Sequence, residues 1–160
     1  MLFTDGSVDT QTGIGYGAYL LVAETGLSAE ALKQQVKVKR FENTTSTKLE
    51  LQTLLWAMDE TRSFQKKIVV YSDSQNIYGL MDRRERLEKN NFRSKGNRLF
   101  TNAGFYREFF QKADQLNIEL VKVSGHKVSS KKDDIDRLFT LVDRAARNAL
   151  RKDNFRDTDS

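Results

Sequence analysis

Apolar and polar residues alternate in two stretches of the early chain, 13–24 and 35–42, and recur at helical spacing after that. Residues 1–5, Met-Leu-Phe-Thr-Asp, run into Gly6-Ser7 and predict a short strand closed by a turn. Asp5 stands at the strand's end, and Gly6 is free to take a positive φ. From Gly13 to Glu24 one face carries Ile14, Tyr16, Ala18, Leu20 and Val22, and the other Gly15, Gly17, Tyr19 and Leu21. This period of two predicts a second strand in a hairpin with the first. Two glycines on one face admit a close backbone neighbour, a packed helix in the first instance and a substrate in the second. Residues 25–34 are a polar connection with room for a turn of helix, and Gln35 to Glu42 alternates again as a third strand through Val36, Val38 and Phe41.

The pattern then changes. Leu51, Leu54, Leu55 and Met58 fall at i, i+3, i+4 and i+7 and predict an amphipathic helix over 46–62. Glu50 lies on the edge of that face, where an unpaired buried carboxylate is costly. It either completes a capping box with Thr47 or holds something positive. Lys67 to Asp73 is a compact apolar run, as expected of a strand covered on both faces. Asp73 ends it, where ligands of α/β sheets gather, although an N-cap accounts for Asp73 equally well. Ser74-Gln75 opens a helix to about Met81. Thr101 to Leu116 is a helix with Phe105, Tyr106, Phe109, Ala113 and Leu116 inward, and Ile118 to Val123 is the last strand. Ser124-Gly125-His126 and a flexible polar loop from Lys127 to Asp134 follow. Ile135, Leu138, Phe139, Val142, Ala146 and Leu150 mark a final helix, with Asp143 flanking its buried side. With no repeat or linker, the expectation is one domain over 1–152 and a flexible tail over 153–160.

Composition narrows this. The 160 residues include no cysteine, which excludes a disulfide framework and a thiolate metal site. No apolar run reaches membrane-spanning length and no signal-peptide pattern is present, so a cytoplasmic monomer with no membrane partner is expected. A net charge of +5 suits a polyanionic partner. The charge is concentrated in 83–98, where Arg83, Arg84, Arg86, Lys89, Arg93, Lys95 and Arg98 face only Glu85 and Glu88. That stretch is either a solvated helix and loop or a basic protrusion that tracks phosphates, with Phe92 able to touch a sugar or base.

The acidic residues add chemistry. Asp5 and Asp73 end neighbouring central strands, Glu50 starts the helix between them in sequence, and Asp143 sits on a helix that can cover the same edge. Four carboxylates meeting there repel one another unless cations are bound. Hard oxygen donors without cysteine point to Mg²⁺ or Mn²⁺, and two such ions about 4 Å apart are a standard device for in-line displacement at phosphorus.

Phe3-Thr-Asp-Gly-Ser7, Thr45-Ser-Thr-Lys-Leu-Glu50, Tyr71-Ser-Asp-Ser-Gln75, Ser124-Gly-His126 and Asp143-Arg-Ala-Ala-Arg147, taken in order, resemble ribonuclease H type 1 over nearly the whole chain. The resemblance implies an α/β, ribonuclease H-like fold: a mixed five-stranded sheet, three antiparallel strands then two parallel ones, flanked by helices. It implies endonucleolytic cleavage of the RNA strand of an RNA–DNA hybrid, leaving 5′-phosphate and 3′-hydroxyl ends. Asp5, Glu50, Asp73 and Asp143 would be the ligands of two Mg²⁺ or Mn²⁺ ions, with Asp5 bridging, and His126 would assist proton transfer or product departure. Thr45, Ser46, Thr47 and Gln75 would meet the hybrid's minor groove, where the 2′-hydroxyl distinguishes RNA from DNA. Arg83, Arg84, Arg86, Lys89, Phe92, Arg93 and Lys95 would grip the DNA strand. The chain departs from the family at Ser46-Thr47, where asparagines are frequent, and in having no Trp in its protrusion. The spacing from His126 to Asp143 is also longer, which makes Asp136 and Asp134 rivals for the fourth ligand; the Asp-x-Ala-Ala-Arg match favours Asp143. The alternatives are a catalytically weak or inactive hybrid-binding module, or another nuclease or strand-transfer enzyme of the same fold. A phosphatase using Asp5 as nucleophile lacks its second Asp at Ser7, and an adhesion-type Asp-x-Ser-x-Ser site fails at Asp9.

Overall fold

In the computed structural model, which describes residues 1–23, 26–64, 66–124 and 133–158, the alternating stretches form an antiparallel meander. Its strands are β1 (Leu2–Asp9), β2 (Ile14–Leu21) and β3 (Lys37–Phe41). Two parallel strands, β4 (Ile68–Ser72) and β5 (Ile118–Lys122), complete a five-stranded sheet of order β3-β2-β1-β4-β5. The helices are α1 (Ala29–Gln35), α2 (Ser46–Glu60), α3 (Gln75–Tyr78), α4 (Leu80–Lys89), α5 (Ala103–Gln115) and α6 (Asp134–Thr158). The mixed sheet flanked by helices is the one the resemblance implies.

The sheet is covered on both faces because the strands alternate. Leu2, Tyr19 and Val70 point into one core with Leu51, Leu54 and Met58 of α2 and Phe109 of α5. Phe3, Ala18 and Leu20 point into the other, against Phe139, Val142 and Ala146 of α6 and Leu32 of α1. Gly15 and Gly17 lie on the α2 side. A Cβ on Gly17 would stand 2.1 Å from Thr53 Oγ1, so the close neighbour the two glycines admit is a helix.

Three boundaries differ from expectation. β1 does not stop at Asp5: pairing with β2 continues to Asp9 opposite Ile14, and the turn falls at 10–13. There Asp9 Oδ1 accepts the Gln11 N–H at 2.9 Å and Gly13 has φ +72°, while Gly6 stays in the strand. Asp5 still lies beyond the parallel rungs, which pair Leu2 with Val70 and Phe3 with Tyr71; continuing that register sets Asp5 opposite Asp73. The helix expected to about Met81 is divided at Gly79 and resumes as α4. Arg83 ties the two pieces, donating to Asn76 O at 2.8 Å and to Gly79 O at 3.2 Å. Finally, the tail expected from residue 153 is helical as far as Thr158. Arg40 Nε holds Asp153 Oδ2 at 3.0 Å, which fastens the added turns to β3. Among the described residues no helix is long and apolar enough to cross a membrane.

Candidate active site

Asp5 on β1, Glu50 on α2, Asp73 just after β4 and Asp143 on α6 line one open cleft of about 450 Å³. β1 and β4 run parallel, so their carboxyl ends open on the same side of the sheet, and α2 and α6 reach that side from opposite faces.

Asp5 is the most deeply set. Burial, the charge of Asp73 and a hydrogen bond with Asp143 push its carboxyl up to about 8, so without a cation it holds a proton and shares it with Asp143. Burial also raises the Glu50 carboxyl; a hydrogen bond from Ser74 opposes that and Asp73 adds to it. Ser74 Oγ donates to Glu50 Oε2 at 2.5 Å and accepts the Ile77 N–H at 3.3 Å. The cap of α3 is therefore Ser74 and not Asp73. Nor does Glu50 close a capping box with Thr47. The extended residue at the start of α2 is Thr45, whose hydroxyl accepts the Lys48 N–H, so the helix begins two residues earlier than that pattern requires. Glu50 is left to face the cleft.

On α6, Arg147 Nε donates to Asp143 Oδ1 at 2.9 Å. The rival acids are occupied elsewhere. Asp136 is buried at the helix start, exchanging hydrogen bonds with Asp133, and the exposed Asp134 pairs with Arg137. Asp143 is the α6 carboxylate brought to the cleft. His126 lies outside the described residues.

The donor set is all carboxylate oxygen, and a hard divalent cation would relieve the repulsion that raises Asp5. Among the described residues no three His, Cys, Asp or Glu side chains are arranged to hold a metal ion as they stand.

The other candidate contacts divide. Thr45, Ser46, Thr47 and Gln75 are exposed, Ser46 lines the cleft, and Gln75 Oε1 accepts from Lys122 Nζ at 2.6 Å. Arg86, Lys89, Arg93 and Lys95 are exposed. Arg83 is spent on the α3–α4 junction, and Arg84 grips Asp114 through two hydrogen bonds of 2.6 and 2.7 Å while lying over the Phe110 ring. Phe92, expected to touch a sugar or base, is 7% exposed. Its N–H closes the end of α4 on Leu87 O, its ring packs against Phe110, and Arg107 covers it. It is a core residue.

Sequence reasoning missed Ser74 as the partner of Glu50, and missed Arg147, Arg151 and Asn154, which line the cleft beside Asp143. The signal for the latter was present: 143, 147, 151 and 154 follow helical spacing on one side of α6.

A family model described as RNase H matches residues 1–150. No curated protein matches the chain. Among solved structures, the solution structure of the prototype foamy virus (PFV) RNase H domain is similar with a TM-score of 0.73 at 14% identity, over 92% of this chain and 91% of that one. A foamy viral protease-reverse transcriptase in complex with RNA/DNA hybrid is similar with a TM-score of 0.72 at 10% identity, over 92% of this chain but 19% of that one. A foamy viral protease-reverse transcriptase in complex with dsDNA is similar with a TM-score of 0.62 at 12% identity, over 87% of this chain and 90% of that one. At these identities the likeness carries the fold alone. The chain spans about a fifth of the length of the protein seen with the hybrid.

Proposed function

The chain belongs to the RNase H family, and from that premise we propose that it cuts the RNA strand of RNA–DNA hybrids, leaving 5′-phosphate and 3′-hydroxyl ends. The observation that carries this reading is the convergence of Asp5, Glu50, Asp73 and Asp143 on one cleft, just past the parallel rungs of β1 and β4. These four would hold two Mg²⁺ or Mn²⁺ ions. The chemistry they would supply there is activation of the attacking water and stabilisation of the leaving oxygen.

The chain's own residues do the remaining work. Asp5 must give up the proton that burial and its acidic neighbours hold on it, so its deprotonation accompanies metal loading. Ser74 fixes the orientation of Glu50, and Arg147 that of Asp143. Thr45, Ser46, Thr47 and Gln75 meet the minor groove, where a 2′-hydroxyl is the feature to be read. Arg86, Lys89, Arg93 and Lys95 meet phosphates of the DNA strand. Arg83 and Arg84 support that surface from within. His126 moves a proton or helps the product leave, and His126→Ala should slow turnover without abolishing it; an unchanged rate would remove it from the reaction. The chain acts as a cytoplasmic monomer, with the helical turns through Thr158 part of its one domain.

The deciding experiment is a gel assay on matched RNA–DNA hybrid, double-stranded RNA and double-stranded DNA with Mg²⁺, Mn²⁺ or EDTA, with Asp73→Asn alongside. The expected result is metal-dependent cutting of RNA in the hybrid only, lost in the variant. Hybrid binding without cutting would replace this reading with that of a binding module, and wild-type rates in Asp73→Asn would overturn the ligand set.

A further inference from the structure

We propose that Arg151, assisted by Asn154, holds a phosphate of the RNA strand adjacent to the one being cut. The proposal rests on the cleavage reading above and adds a specific substrate contact to it. The helix that carries Asp143 does not end there: Asp143, Arg147, Arg151 and Asn154 all line the carboxylate cleft from one side of α6. They differ in what they already hold. Arg147 is committed to Asp143. Arg151 is exposed and has no hydrogen bond or ion pair among the described residues, although it borders a cleft containing four carboxylates. The nearby acid on its own helix, Asp153, is turned away and held by Arg40 and by the Tyr16 hydroxyl. A guanidinium that shares a cleft with acids and pairs with none of them is matched to an anion that arrives with the substrate.

The chemistry of that anion follows from the side chains and their placement. A guanidinium offers two parallel donors to one phosphate, and a neighbouring carboxamide can add a third. Eight residues of helix separate Arg151 from Asp143, roughly 12 Å along the axis. That is too far to serve the phosphate at the carboxylates and within range of its neighbours on the same strand. The strand is the RNA, because the cut strand must enter this cleft, whereas the exposed residues of 86–95 belong to a separate surface. The ion pair of Asp153 with Arg40 gives the contact a fixed root. It anchors the final turns of α6 to β3 by one side of the helix and leaves the other side over the cleft.

The test uses the full chain with Arg151→Ala and Arg151→Lys. Cleavage kinetics are measured on the hybrid, and binding is measured against salt in an Asp73→Asn background. Arg151→Ala should raise KM about tenfold with little change in kcat, and lower the slope of log K against log salt by about one. Arg151→Lys should keep the slope, because the charge remains, and recover only part of the affinity, because the fork is lost. A KM and slope equal to wild type in Arg151→Ala would overturn the proposal while leaving the cleavage reading standing. A loss of kcat with an unchanged slope would also overturn it, since that is disturbance of Asp143 and not a lost phosphate contact. If the unsubstituted chain neither binds nor cuts the hybrid, the cleavage reading fails first and this one with it.

Discussion

At the scale of single residues, the site depends on small groups that hold the acids more than on the acids alone. Ser74 uses one hydroxyl twice, donating to Glu50 and accepting from Ile77. Ser74→Ala should remove the cap of α3, at about 1 kcal/mol, and lower Tm by a few degrees. It should also remove the interaction that opposes the raised Glu50 carboxyl. Glu50 would then be harder to ionise, and cleavage should need more Mg²⁺ for half-saturation. Thermal melting and a Mg²⁺ titration of cleavage separate the two effects; an unchanged titration would detach Ser74 from the site. Asp73, Glu50 and Asp143 were legible at a strand end and at helix edges, whereas Asp5, read as a strand end, lies within β1. The supports of these acids were not legible, because a serine after an aspartate reads as a helix start whichever way its proton points. The choice among Asp134, Asp136 and Asp143 rested on a local motif. The structure explains it by burial, since Asp136 is taken up at the start of α6.

At the scale of elements, period and spacing predicted every strand of the sheet and missed where elements stop. The boundaries depend on long-range partners: β2 extends β1 past Asp5, and Arg40 extends α6 past residue 152. The basic stretch shows the same limit. Its charge suggested a protrusion with Phe92 facing the substrate, but α4 ends in a left-handed closure at Asn91 (φ 50°), with the N–H of Asn91 on Glu88 O and that of Phe92 on Leu87 O. That closure carries Phe92 back into the core. Phe92→Ala should therefore cost about 3–5 kcal/mol of stability and leave the salt dependence of hybrid binding unchanged. Denaturant melts and the salt slope test this together, and a flattened slope with intact stability would restore Phe92 to the interface. Gly17→Ala probes the α2 contact. An added methyl 2.1 Å from Thr53 Oγ1 must displace α2, on which Glu50 is mounted. A loss of about 1–3 kcal/mol is expected, with reduced cleavage in the protein that remains folded.

At the scale of the molecule, the cleft exists only when both cores are formed, because its acids come from β1, from the end of β4 and from helices on opposite faces of the sheet. Folding thus gathers like charges, and the metal-free protein meets that repulsion as a dependence on pH. The Asp5 carboxyl stands near 8 when folded against 3.8 for an ordinary one. Between those values the folded chain keeps a proton that the unfolded chain has released, so raising the pH favours unfolding. Glu50 is shifted in the same direction. Without divalent ions, Tm should fall as pH rises from about 4 to about 8, the range between the two Asp5 values. Mg²⁺ binds the folded state and competes with the proton, so the rise in Tm that it produces should be larger near pH 8 than near pH 5. Asp5→Asn removes the most strongly shifted acid, and should flatten the metal-free pH dependence and shrink the Mg²⁺ effect together. A wild-type Tm that is flat in pH and indifferent to Mg²⁺ would contradict the crowding of acids on which the proposed chemistry depends. A slope that persists in Asp5→Asn would place its origin in groups other than Asp5.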